Sequence, residues 1–252
     1  MWNDEVEGCE RMKIGILQCD SVRTQFQRQH GDYPAMIEAL FRQVSPTVTF
    51  KTYDVTEGCY PSDVDECDAY ITTGSKASVY DAAAWIASLQ TFIIRLRNEE
   101  KKLLAICFGH QLVAQAFGGK VTKSNNGWGV GVHSMQVALT KPWMEPPLAT
   151  CNVLVSHQDQ IEKLPVGATL IAASDFCPYA MFQLDDAILA IQGHPEFTKP
   201  YARDLMGFRR ELLGEPLYKV GIESLQSITD EQAIARWMLA FIDPAQSAIV
   251  AS

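Results

Sequence analysis

The chain has 252 residues, 47% of them apolar, and a formal net charge of −9, enough length for one large α/β domain with a sizeable core. The acidic balance repels phosphate backbones and anionic lipid, which excludes nucleic-acid or membrane binding by bulk electrostatics and points to a small-molecule or protein partner. The opening MWNDEVEGCERMK has neither the basic start nor the apolar run of a secretory leader, and no run approaches the ~18 apolar residues of a membrane span, so a cytoplasmic protein is expected.

Residues 1–11 carry few apolar side chains and are expected to form a loose extension, with the fold starting near Met12. Lys13 to Cys19 reads as a first strand. Met36, Ile37, Leu40, Phe41 and Val44 then recur at helical spacing, and residues 47–53 are a second β-rich run. A third strand over 69–73 ends at Gly74-Ser75, and residues 83–98 return to helical spacing. Residues 103–106 are apolar at every position, as a strand buried on both faces of a parallel sheet requires. Up to about residue 118 this alternation predicts a doubly wound parallel sheet. The second half differs: runs at 130–139, 152–156, 168–173, 179–184 and 187–192 are β-rich with short turns, and helical stretches follow near 200–213 and 230–242. With no repeat or long linker, a single domain over 1–252 is expected.

Seven cysteines, an odd number without paired short spacings, argue against a disulfide framework and a zinc site. Most are expected to be buried small hydrophobes. Cys107 is placed differently, because it follows the apolar strand directly and the residues after it turn helical without a connecting loop. Such a strand-to-helix elbow needs small neighbours, and Ala105 and Gly109 supply them. The sulfur would then stand at a helix N-terminus, where free N–H groups stabilise a thiolate.

A second constellation, His194-Pro-Glu196, lies just past another apolar strand. In an extended segment the two side chains point to one side, so Glu196 would orient His194 as a base for Cys107. Acyl transfer also needs N–H donors for the developing oxyanion. The backbone of Phe108 is one candidate and Gly74, at the end of the third strand, another; a plain turn glycine fits the local sequence there equally well.

Together, Cys107-Phe-Gly-His-Gln111, His194-Pro-Glu196 and Thr72-Thr-Gly-Ser75 resemble the class I glutamine amidotransferase family, from Met12 to about Phe197. The resemblance implies an open, mostly parallel, flavodoxin-like sheet flanked by helices, with additional strands in the second half. It implies a γ-glutamyl thioester on Cys107, His194 as base and then acid, and Glu196 as its orienter. The reaction would cleave the side-chain amide of glutamine and release ammonia; a γ-glutamyl peptide or γ-glutamyl amine is the alternative substrate for the same triad. Gln111 would contact the substrate, and in Ser156-His-Gln-Asp159 the pocket residues would be His157 and Asp159, the latter meeting the α-amino group. For Asp159 a surface turn is an almost equal reading.

Asn126-Gly-Trp-Gly-Val-Gly131 is similar to a glycine-rich stretch near the pocket in stand-alone relatives of the glutaminase domain of GMP synthase. No phosphate-cradling motif appears and no cofactor is expected, so any ammonia acceptor would come from a synthase partner chain, or there is none. A redox-sensing cysteine would need no His-x-Glu pair, and a binding module would leave the triad idle. His30, His133 and His157 lack metal-site spacing, His110 is assigned a structural role, and the five tryptophans are expected to pack.

Overall fold

A computed structural model describes residues 11–244, so the expected N-terminal extension lies, Arg11 excepted, outside the described residues. In chain order the elements are β1 (Lys13–Gln18), α1 (Thr24–His30), α2 (Tyr33–Arg42), β2 (Thr49–Asp54), β3 (Ala69–Thr72), α3 (Ala84–Asn98), β4 (Lys102–Ile106), α4 (Phe108–Ala116), β5 (Lys120–Lys123) and β6 (Gly129–Val137). They continue with β7 (Thr150–His157), β8 (Asp159–Lys163), β9 (Ala168–Ala173), β10 (Met181–Leu184), β11 (Ile188–Ile191), α5 (Lys199–Phe208), α6 (Arg210–Leu213), α7 (Glu215–Ser224) and α8 (Glu231–Ile242).

The main sheet has nine strands in the order β2-β1-β3-β4-β11-β10-β9-β6-β7. From β2 to β11 the neighbours are parallel; from β11 to β7 each pairing is antiparallel, so only β10 and β6 run against the rest. This is the expected mixed, mostly parallel sheet with added strands. Along the central strands the side chains alternate between two cores. Ile14, Ile16, Leu104 and Ile106 pack on one face with Ile37 and Phe41 of α2 and Trp237 and Phe241 of α8. Leu17, Leu103 and Ala105 pack on the other with Leu89 and Ile93 of α3 and Leu112 and Val113 of α4. Period-two burial on both faces is why these strands read as continuous apolar runs.

Four elements go beyond the sequence expectation: α1, α7, and the separate two-stranded sheet of β5 and β8. The helix expected near 200–213 is two helices that meet at Arg209, the C-cap of one and the N-cap of the next. Among the described residues no helix is long and apolar enough to cross a membrane.

Because β1, β3, β4 and β11 are parallel, their carboxyl ends open on one side, the general position of ligand crevices in such sheets. Thr72 of β3 is paired with Ala105 of β4, and Ile106 of β4 with Ile191 of β11. The chain segments that leave these strands, at Gly74, Cys107 and Gln192, are therefore neighbours.

Candidate active site

Cys107 is the single residue between β4 and α4, with φ 49° and ψ −95°. It is one of three non-glycine residues at positive φ among those described. Such a conformation costs about 1–3 kcal/mol and persists only where the surroundings impose it. Here Cys107 N donates to Ile191 O at 2.9 Å on one side, and its carbonyl accepts from Gln111 N at 3.1 Å on the other. Gly109 fixes the elbow against β3: a Cβ there would lie 1.8 Å from Thr72 Oγ1. The requirement for a small residue at that position thus has a named cause, the Thr72 side chain.

Cys107 is buried, 5% exposed, at the start of α4, whose first-turn N–H groups, beginning with Phe108, have no acceptor within the helix. Gln192 Nε2 donates to Cys107 Sγ at 3.5 Å, and Gln192 Oε1 in turn accepts from Gln111 Nε2 at 3.0 Å. Gln111 Nε2 also donates to Asp159 O at 2.8 Å. The amide nitrogen of Gln111, a residue expected to contact the substrate, is thus held between two protein acceptors, while the residue itself lines the cavity described below.

His194 faces the elbow. Its Nδ1 donates to Glu196 Oε1 at 2.8 Å, and both residues are buried. The segment is not extended as expected: residues 195–196 form a turn, with Phe197 N donating to His194 O at 3.3 Å. The turn brings the side chains together, and it is anchored by His194 N on Leu154 O at 2.7 Å. Phe197 stacks on the imidazole at 3.9 Å between centroids. Burial alone would push the imidazole pKa down, but the electrostatic influence of the neighbouring Cys107 and of Glu196, with the hydrogen bond to Glu196, outweighs it and raises the value to about 10.

Gly74 lies between the two groups. A Cβ on it would stand 2.8 Å from His194 Cε1 and 3.7 Å from Cys107 Cβ, so a side chain would displace the imidazole and the backbone of this loop runs directly beside both.

A cavity of about 190 Å³ opens on Cys107, room for roughly six waters at ~30 Å³ each or one small polar molecule. Asp159 sits on its wall at the start of β8, not in a surface turn; Oδ2 accepts from Ser78 Oγ at 2.6 Å and Oδ1 from Tyr80 Oη at 3.0 Å. His157 also lines it, with Nδ1 on Asp159 O at 3.2 Å and Nε2 buried without a partner. Burial pushes its pKa down to about 3, so the ring is neutral. His110 is buried outside the cavity lining, with Nε2 on Tyr179 O at 2.8 Å, as its structural assignment anticipates.

Two further residues of the wall are not among the site residues expected from the sequence. Arg209 donates through Nη1 to Ser156 Oγ at 2.7 Å and lies 4.9 Å over the ring of Trp128. No carboxylate among the described residues is within ion-pair distance of it, and burial lowers its pKa from the usual arginine value. Trp128, expected only to pack, faces the cavity from the glycine-rich stretch at 126–131. A larger cavity of about 550 Å³ lies behind Glu196 and Phe197, but its lining does not include Cys107. Among the described residues no three His, Cys, Asp or Glu side chains gather as a metal site.

Residues 35–209 match the family model described as glutamine amidotransferase class-I. Gamma-glutamyl peptidase 3 of Arabidopsis thaliana is 30% identical over 203 residues, covering 77% of this chain and 80% of that protein. A glutamine amidotransferase-like protein of Schizosaccharomyces pombe is 28% identical over 244 residues, 91% and 98% of the two chains. Among solved structures, a glutamine amidotransferase from Thermotoga maritima superposes with a TM-score of 0.73 at 17% identity, covering 94% of this chain and 98% of that one, a likeness of fold.

Proposed function

The chain belongs to the class I glutamine amidotransferases, and on that premise we propose that Cys107, His194 and Glu196 are the nucleophile, its base and the orienter of that base in the hydrolysis of a γ-glutamyl compound. The observation that carries the proposal is the juxtaposition at Gly74, where an added Cβ would come within 2.8 Å of His194 Cε1 and 3.7 Å of Cys107 Cβ, with Glu196 holding Nδ1 of His194.

With Nδ1 committed to Glu196, Nε2 is left to exchange a proton with the sulfur. The proton moves from Cys107 to His194 and the thiolate adds to the γ-carbonyl carbon. The oxyanion is received by the N–H groups of Phe108 and Gly74. The tetrahedral species collapses by breaking the C–N bond, and His194 gives its proton to the leaving nitrogen. A water deprotonated by His194 then cleaves the thioester, which releases glutamate and restores the thiol. The raised pKa of His194 supports an imidazolium held between Cys107 and Glu196 at neutral pH.

At the other end of the substrate, Arg209 is suited to the α-carboxylate and Asp159 to the α-amino group, since a carboxylate and a guanidinium on one cavity wall match that pair. Gln111 and His157 support this end by holding the Asp159 carbonyl. With glutamine as donor the leaving group is ammonia, for which a synthase partner chain would be the acceptor; with a γ-glutamyl peptide it is the peptide amine. Release of glutamate from both donors by the wild-type protein, lost in Cys107→Ala, tests the proposal; release that survives the substitution contradicts it.

A further inference from the structure

The cavity over Cys107 is positively charged in a protein that is not. Lys76, Lys123 and Arg209 line it against one carboxylate, Asp159, while the whole chain carries −9. Lys76 is neutralised, because its Nζ lies 2.8 Å from Asp20 Oδ1 and its backbone N donates to Asp20 Oδ2 at 3.0 Å. Lys123 is different. It ends β5 as the cross-strand partner of Asp159, a position that sets both side chains on one face. Yet the two Asp159 oxygens are taken by Ser78 and Tyr80, and no carboxylate among the described residues is within ion-pair distance of Lys123. Its strand neighbour Lys120, by contrast, has a partner in Glu162.

Free glutamine cannot balance this set. Its amino group and carboxylate are one charge of each sign, which Asp159 and Arg209 answer, and its side-chain amide is neutral. One cation is left over at the mouth. A γ-glutamyl peptide that keeps a free C-terminal carboxylate brings the missing negative charge on its leaving group.

Resting on the reading of the site given above, we propose that Lys123 is a specificity-determining residue that selects γ-glutamyl peptides whose leaving group carries a carboxylate, over their C-terminal amides and over γ-glutamyl amines. Lys123 takes no part in bond making; it places the leaving group so that its nitrogen meets the proton held by His194, and the bond that breaks is the γ-glutamyl C–N bond in every case.

The test compares kcat/KM for a γ-glutamyl dipeptide and for the same dipeptide amidated at its C-terminus, on the wild type, Lys123→Gln and Lys123→Arg. An exposed ion pair of this kind corresponds to a preference for the acid of about fivefold at low salt. That preference should fall toward one in Lys123→Gln, persist in Lys123→Arg, and shrink in the wild type as salt is added. Equal turnover of acid and amide by the wild type, or a preference that Lys123→Gln leaves intact, overturns the role of Lys123 while the hydrolase itself stands. Failure of the wild type to cleave any γ-glutamyl compound overturns both.

Discussion

The two sides of the site are built in opposite ways. On one side, the ends of β3, β4 and β11 place Gly74, Cys107 and His194 in a buried setting where a side chain on Gly74 would displace the imidazole. On the other, β5, β8 and the Arg209 junction present mainly half-buried or exposed polar groups, with Asp159 held by hydrogen bonds from Ser78 and Tyr80 and Arg209 by its own to Ser156. Steric confinement suits groups that must meet a transition state within fractions of an ångström. Adjustable polar contacts suit recognition of one compound among similar ones. Substitutions on the first side should therefore act on kcat, and those on the second on KM.

The largest effect is expected from Cys107→Ala, which should lower the rate of glutamate release by at least about 10⁴-fold while leaving the fold intact by circular dichroism. A small loss would erase the distinction between the sides. Glu196→Gln should cost about 10²- to 10⁴-fold in kcat and also move a titration. His194 is raised to about 10, in part by the Glu196 charge, so activity should fall on the alkaline side as pH passes that value and the imidazolium is lost. Without Glu196 the imidazolium is less favoured, and the alkaline limb of the pH–rate profile should shift to lower pH. An unmoved limb would show that Glu196 does not hold the ring.

On the recognition wall, Arg209→Gln should raise KM for glutamine by about 10- to 100-fold, the equivalent of one charged hydrogen-bonded contact, with a smaller change in kcat. If kcat falls more than KM rises, Arg209 belongs with the chemistry and the comparison fails. The smallest effect concerns stability. His157 on this side and His110 beneath the other both have pKa values pushed down to about 3 by burial, from an ordinary 6.5. Both are neutral when folded, so the unfolded chain binds more protons below pH 6.5 and stability should be lost as pH falls from about 6.5 toward 3. Denaturant midpoints across that window should show it, with a shallower slope in His157→Gln.

The same contrast decides how much the sequence disclosed. The central strands are legible because both faces are buried, so Leu103 to Ile106 are apolar throughout, and the elbow is legible because the glycine two residues after Cys107 has a steric reason to be there. The recognition wall has no such pattern. Helix α1 buries none of its residues and α7 only Gly221, so neither shows apolar periodicity. Strands β5 and β8 are short, with only partly buried patterns. Arg209 lies among the charged residues of a helical stretch and differs from its neighbour Arg210, which pairs with Glu215 on the surface, only through the three-dimensional position of Ser156 and Trp128. His194 and Glu196 were identifiable by type, but the turn that joins them was not, because it depends on the anchor to Leu154 in a strand 40 residues away.

The most direct test of the assignment of Cys107 is acid quench of the protein during turnover of a γ-glutamyl substrate, followed by mass spectrometry of its peptides. A mass increase equal to one γ-glutamyl group on the peptide containing Cys107, absent in Cys107→Ala, is predicted. Turnover accompanied by an adduct on any of the other cysteines instead, or undiminished in Cys107→Ala, would contradict it.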